Sequence, residues 1–345
     1  MAKINWRDTD DLEAYEEHFH GRPVLSTIAA IKENEVYGTA VNASFHLLRT
    51  EDVSSETTIE EWNWIAAAEY ADSVGADVLN TSLGYTYFDT ELESYSYEDM
   101  DGNTAWITRG SDIAASRGML VVNSAGNSGN SDWFYVGAPA DGDSVLAVGS
   151  IDADSSHTSF SSHGPSYDGR VKPNVCAQGR MAFGVNEDDL VVPLNGTSFS
   201  SPITAGLAAC LWQAVPEATN MEVFQAIEMS AHLFDQPNDS LGYGIPNFAA
   251  ALEILEQLTS DLPEYQGSEL LVFPNPTSSV LNLAVPSGSD LLNEVTVLDY
   301  LGREILLETS QVSDEIYSID VSKLEQGIYM VRIDDSDRAI PFIKY

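Results

Sequence analysis

Three residues capable of acyl-transfer chemistry stand in unusual surroundings. Ser198 lies in NGTSFSSPITAG, residues 195–206, between small residues at the head of the apolar run ITAGLAACLWQA. A serine there reads either as a helix cap or as a nucleophile. The positive end of the helix dipole favours negative charge developing beside it, and Gly196 with its small neighbours lets another chain approach the hydroxyl. Pro202 is expected in the first helical turn, where a missing N–H costs little. His20 opens HGRPVLSTIAA and reads either as a surface or capping histidine or as a base whose ring faces a crevice; His18, His46, His157, His163 and His232 lack that setting. Asn127 lies in SAGNSG, residues 124–129, just after an apolar strand. Its amide is either part of an ordinary turn or a donor to negative charge forming on a substrate oxygen.

The surrounding elements are legible from periodicity. ASFHLLRT, ADVLNTSLG, MLVVNSAGN and SVLAVGSID read as strands, and IEEWNWIAAAEYADSVG and TAWITRGSDIAASRG as helices ending near Gly75 and Gly118. Strands alternating with helices predict an α/β fold, a doubly wound and mostly parallel sheet with helices on both faces. Ligands of such sheets bind at the carboxyl ends of the strands, so the loops after Ser82 and Ser124 are the places to look. Residues 198–214 predict a helix apolar on nearly every face and therefore buried. NMEVFQAIEMSA and NFAAALEILEQL predict two more helices. From residue 258 to 268 the text is polar and turn-like, a linker. Residues 269–345 read as short alternating strands with Gly, Asn and Asp turns, a small all-β sandwich.

The chain carries 54 acidic and 15 basic residues, a formal charge of −39. That surface repels nucleic acid and anionic membranes and suits a solvated setting. No apolar stretch approaches the ~20 residues of a membrane span, and MAKINWRDTDDLEAYEEHFHG has no apolar signal-peptide core. Cys176 and Cys210 are too few for a disulfide framework, lack metal-ligand spacing, and are expected as buried free thiols. In the acidic, tyrosine-rich loop 85–103, Asp99, Asp101 and Asn103 alternate as calcium ligands often do, without a complete loop signature. A solvated turn is the favoured reading, no cofactor is expected, and structural calcium has no assignable site.

HGRPVLSTIAA, DVLNTSLG, VVNSAGNSG, SFSSHGPSYDGRVKPNV and NGTSFSSPITAG, in that order over residues 20–255, together resemble the subtilisin-like serine peptidases. The resemblance implies a parallel α/β sheet and an endopeptidase acting through an acyl-enzyme. It implies Ser198 as nucleophile, His20 as general base, and Asn127 with the Ser198 N–H as the oxyanion hole. Ser82, Leu83 and Gly84 would pair with an extended substrate, with Ser124, Ala125 and Gly126 as the opposite wall, a form of strand addition. The tail is similar to a second family: VFPNPTSSVLNLAVP, VTVLDYLGREIL and LEQGIYMVRI resemble the C-terminal sorting domain of type IX secretion cargo in Bacteroidetes. That implies a secreted or cell-surface protein whose residues 269–345 engage the type IX secretion machinery.

One departure matters. The family's acid, which orients the histidine and stabilises its cation, ends the first core strand upstream of it. Before His20 stand Asp8, Asp10 and Asp11 but no apolar strand. The expectation is that the first strand and its acid are missing from this chain. Arg22 also departs from the family pattern, bringing a cation toward His20 that would disfavour imidazolium. Two functions therefore remain: a secreted endopeptidase, or a catalytically inactive module that binds extended peptides. An esterase of the α/β-hydrolase type fits poorly, because the serine follows the histidine and is not in GxSxG.

Overall fold

The computed structural model describes residues 2–5, 18–259, 271–284, 295–299, 303–305, 307, 309–313, 316–333 and 339–345. The chain divides into two units, Met1–Thr259 and Ser260–Tyr345. In the larger unit the elements run β1 (Ala2–Asn5), α1 (Gly21–Ala29), β2 (Ile31–Lys32), β3 (Val36–Tyr37), β4 (His46–Arg49), α2 (Ile59–Ser73), β5 (Val78–Thr81), α3 (Trp106–Ser116), β6 (Leu120–Ser124), β7 (Val145–Ile151), β8 (Val175–Gln178), β9 (Arg180–Val185), β10 (Val191–Asn195), α4 (Thr197–Ala214), α5 (Asn220–Met229) and α6 (Phe248–Thr259).

The order β5-β6-β7-β8 forms a four-stranded sheet, parallel at every pairing. Its central strands are apolar on both faces, as a sheet covered on both sides requires. Leu120 and Val122 of β6 enter one core cluster with residues of α4, α5 and α6. Val121, between them, enters a second cluster with residues of α2 and α3. Period-two alternation thus distributes one strand between two helical layers. Gly75 and Gly118 follow α2 and α3 with φ of 74° and 102°, the left-handed conformation that ends a helix.

Two sequence expectations need correction here. A strand does stand near the beginning, Ala2–Asn5, pairing in parallel with β4 from Ala2↔His46 to Asn5↔Arg49. Four residues containing Lys and Asn are too few to show an apolar pattern, so pairing rather than periodicity defines it. No acid lies within it; Asp8, Asp10 and Asp11 fall outside the described residues. Further, α4 is not buried all round. Cys176 is buried, with its thiol pushed up to about 12 by burial, but Cys210 on α4 is exposed. The sequence of α4 is apolar, but burial depends on what covers each face.

The smaller unit holds two antiparallel four-stranded sheets. One is ordered β11-β12-β16-β15, from Leu271–Phe273, Val280–Ala284, Ile316–Asp320 and Thr309–Ser313. The other is β14-β13-β17-β18, from Glu304–Ile305, Val295–Leu298, Gly327–Ile333 and Ala339–Lys344. Leu281, Leu283, Tyr317, Ile319, Val297, Val331 and Phe342 from both sheets share one core. Among the described residues, no helix is long and apolar enough to cross a membrane.

Candidate active site

The carboxyl ends of β5 and β6 and the first turn of α4 enclose a cavity of ≈ 170 Å³. Ser82, Leu83, Gly84, Ser124, Ala125, Gly126, Asn127 and Ser198 all line it, so every predicted site residue except His20 meets there. Thr86, Ser128, Trp133, Tyr135, Gly137, Ser162 and Thr197 complete the lining and were not anticipated. Of these, Ser128, Ser162 and Thr197 sit in the quoted segments SAGNSG, SFSSHGP and NGTSFSSPITAG, whose small residues were the available signal. Trp133 and Tyr135 carried none, because only folding brings them to this cleft.

The walls need small residues for a steric reason. Gly126 has φ of 104°, and a Cβ there would stand 2.8 Å from Ser162 Oγ. Beyond Gly84, the strand continues by pairing: Tyr85 N donates to Ala138 O at 2.8 Å, and Ala138 N to Tyr85 O at 3.2 Å.

Ser198 is not a cap. The N-cap of α4 is Gly196, at φ 144° and ψ 151°, and Ser198 is the second helical residue. Nor does Pro202 lie in the first turn; it is inside the helix, four residues after Ser198. The cap function is supplied from another loop. Asn127 Oδ1 accepts from Thr197 N at 2.9 Å and from Thr197 Oγ1 at 3.1 Å. Thr197 Oγ1 in turn accepts from Gly126 N at 3.2 Å. Its oxygen is so engaged, and among the described residues the Asn127 Nδ2 donors have no protein partner, in a residue that is itself exposed. The Ser198 N–H belongs to the helical amides that have no acceptor within the helix. Ser198 itself is 8% exposed, enough to reach the cavity surface.

His20 stands just ahead of α1 at φ −62° and ψ −39°, and its side chain makes no capping bond. Its ring lies 6.1 Å from that of Phe199, the residue after Ser198. Among the described residues no hydrogen bond joins the ring to Ser198 or to a carboxylate. Its pKa is lowered, first by burial and then by His18, whose ring is 6.4 Å away. Arg22 is not a cause. Its guanidinium donates to Glu187 O at 2.5 Å and pairs with Asp189 at 3.5 Å, across the β9–β10 turn. The expected influence of Arg22 on the histidine is therefore corrected: its guanidinium is engaged on the β9–β10 turn, and burial and His18 lower the His20 pKa.

In loop 85–103, Asp99 accepts from Ser96 N and Oγ, and Asp101 from Asn103 N, Thr104 N and Thr104 Oγ1. Both carboxylates act as local turn caps.

The subtilase family profile matches residues 2–244, and that of the secretion system C-terminal sorting domain matches residues 271–341. Subtilisin DY of Bacillus licheniformis is 32% identical over 227 residues, 65% of this chain and 73% of that protein. Subtilisin E of Bacillus subtilis (strain 168) is 32% identical over 237 residues, 68% of this chain. The match spans only 56% of subtilisin E, and 21% of the Arabidopsis thaliana subtilisin-like protease SBT6.1. Among solved structures, the prenylagaramide maturation protease PagA aligns with a TM-score of 0.56 at 24% identity, covering 69% of this chain and 82% of that one. MycP1 from the ESX-1 type VII secretion system aligns with a TM-score of 0.58 at 22% identity, covering 75% and 76%. These two show a shared fold. The chain belongs to the subtilase family, and its tail is a secretion-system C-terminal sorting domain.

Proposed function

We propose that this chain is an exported serine endopeptidase that cleaves peptide bonds through an acyl-enzyme. The observation that carries the reading is the convergence of Ser198, Asn127 and the two small-residue walls on one cleft. An extended peptide lies between Ser82–Gly84 and Ser124–Gly126. Ser198 Oγ attacks the scissile carbonyl while His20 takes its proton, and the carbonyl oxygen gains the charge. Asn127 Nδ2 and the Ser198 N–H stabilise that charge. The intermediate collapses as His20 protonates the leaving amine. Water, deprotonated by His20, then releases the acyl group. The sorting domain directs the protein to type IX secretion machinery and so to the cell surface or beyond. A fluorophosphonate probe applied to the full chain should label Ser198, and folded protein that stays unlabelled would sink the reading.

The second reading, a peptide-binding module without turnover, is favoured by one observation: no described carboxylate contacts His20. It expects peptide binding unchanged in Ser198→Ala and no hydrolysis by the wild type.

Two results discriminate further. A general base must be neutral, and a lowered pKa keeps His20 neutral to lower pH. The acid limb of kcat/KM is expected below the ordinary 6.5 of histidine; a limb above it would show an acid paired with the ring. By linkage, protonation below pH 6.5 favours the unfolded chain, so His20 makes stability decline as pH falls from there toward its folded pKa. Asn127→Asp keeps the acceptor that caps α4 and loses the donor. It should retain the melting temperature and lower kcat by about 10²–10³, a range established for the equivalent amide of subtilisin rather than read from this chain. Asn127→Leu should lose both, with about 1 kcal/mol of stability from the missing cap.

A further inference from the structure

Pro202 creates a vacancy in the α4 ladder at a critical place. An α-helix pairs the N–H of residue i with the carbonyl of residue i−4, and proline has no N–H. The carbonyl left without that partner is Ser198 O. It is supplied from outside the helix, because Ser82 Oγ donates to Ser198 O at 2.9 Å. Behind Ser82 stands Asn80, on β5. Asn80 Nδ2 lies 3.4 Å from Ser82 Oγ, and Asn80 Oδ1 accepts from Ser201 Oγ at 2.9 Å. An amide nitrogen only donates, so Ser82 Oγ accepts from Asn80 and keeps its own proton for Ser198 O. Ser201 is three residues after Ser198, on the same helical face. The four groups form one directed relay, Ser201 to Asn80 to Ser82 to Ser198, that ties both ends of a helical turn to one strand end.

We infer that Asn80 is a positioning residue, which sets the depth and rotation of the turn carrying Ser198; this rests on the reading of Ser198 as nucleophile. The amide suits the place, since it accepts from Ser201 through Oδ1 and donates to Ser82 through Nδ2. The opposite side of the turn is already fixed by Asn127 and Gly126 through Thr197. The β5 contact therefore removes the remaining freedom, rotation about the Thr197 anchor. Small displacements of a nucleophile are costly: about 1 Å of misplacement can lower a rate ~10²-fold.

The test uses the full chain with Asn80→Asp, which removes the donor, and Ser82→Ala, which removes the hydroxyl. Fluorophosphonate labelling of Ser198 and kcat for a peptide substrate should fall about 10–100-fold in Asn80→Asp and Ser82→Ala. In the variant at Asn80, which lies outside the cleft lining, KM and melting temperature should stay near wild type. The double variant Asn80→Asp/Ser82→Ala should be little worse than either single change, because both cut one relay. Hydrogen exchange in a peptide spanning residues 196–205 should quicken in both single variants, a readout that needs no catalysis. Wild-type labelling rates, or unchanged exchange in that peptide, would overturn the relay. A wild-type chain that folds but never labels overturns the nucleophile reading instead, and the exchange data then decide the relay by themselves.

Discussion

Ser198→Ala should abolish fluorophosphonate labelling and lower peptide hydrolysis by about 10⁶, a figure established for subtilisin rather than derived from this chain. The size follows from the serine being the bond-forming atom. Without it His20 has no proton to accept, and no acyl-enzyme forms. What remains should be a rate ~10³–10⁴ above solvent if Asn127 and the Ser198 N–H still polarise a bound peptide. Binding should change little, since the substrate is held by strand edges. The paired measurement is therefore kcat against the dissociation constant of an uncleaved peptide. A loss in binding that matches the loss in rate would make Ser198 a recognition residue instead. If the wild type itself turns over about 10⁴-fold more slowly than its relatives, the unassisted histidine accounts for it; that factor too is known from subtilisin lacking its acid.

Lys172→Leu is expected to remove about 3–5 kcal/mol of stability. Lys172 is 1% exposed, and all three protons of its ammonium are used. Nζ donates to Gly142 O at 2.7 Å, Val145 O at 2.9 Å and Asn174 Oδ1 at 3.0 Å. Nearby Asp141 is fully buried, accepts from Thr108 Oγ1 at 2.6 Å and Gly102 N at 2.9 Å, and attracts the ammonium. Burial lowers the pKa of Lys172 and raises that of Asp141, and their mutual attraction opposes both shifts. Leucine would leave two carbonyls and an amide oxygen without that donor, and a buried carboxylate with Arg170 as its remaining cationic neighbour. All six tryptophans lie before residue 213, so urea unfolding followed by tryptophan fluorescence reports the larger unit alone. A change under about 1 kcal/mol would refute the argument. Because a stranded Asp141 can be neutralised, the deficit should shrink in mild acid.

These two expectations draw on different layers of information. That Ser198, Asn127 and the 82–84 and 124–126 segments meet at one cleft was legible in the sequence from their small residues and their places at strand and helix ends. Closely approaching walls need small residues, and strand ends of a parallel sheet are where sites form. Lys172 was silent, since a lysine in a polar loop reads as solvated until Gly142, Val145 and Asn174 close over it. Arg22 was misjudged for the same reason: proximity to His20 in sequence said nothing of Asp189.

The sequence alone determined the layered α/β fold, the all-β tail and the segments that meet at the cleft, because hydrophobic period and small-residue runs are local properties. Tertiary structure alone decided that Asn127 caps α4 from another loop, that Ser82 replaces the donor Pro202 lacks, and that Cys210 faces solvent while Cys176 does not. Those outcomes depend on groups 70 to 116 residues apart in the hydrogen-bond pairs and on which face of a helix another element covers. Contacts of that kind leave no periodic trace in the chain, since their partners are set by where folding brings two backbones together.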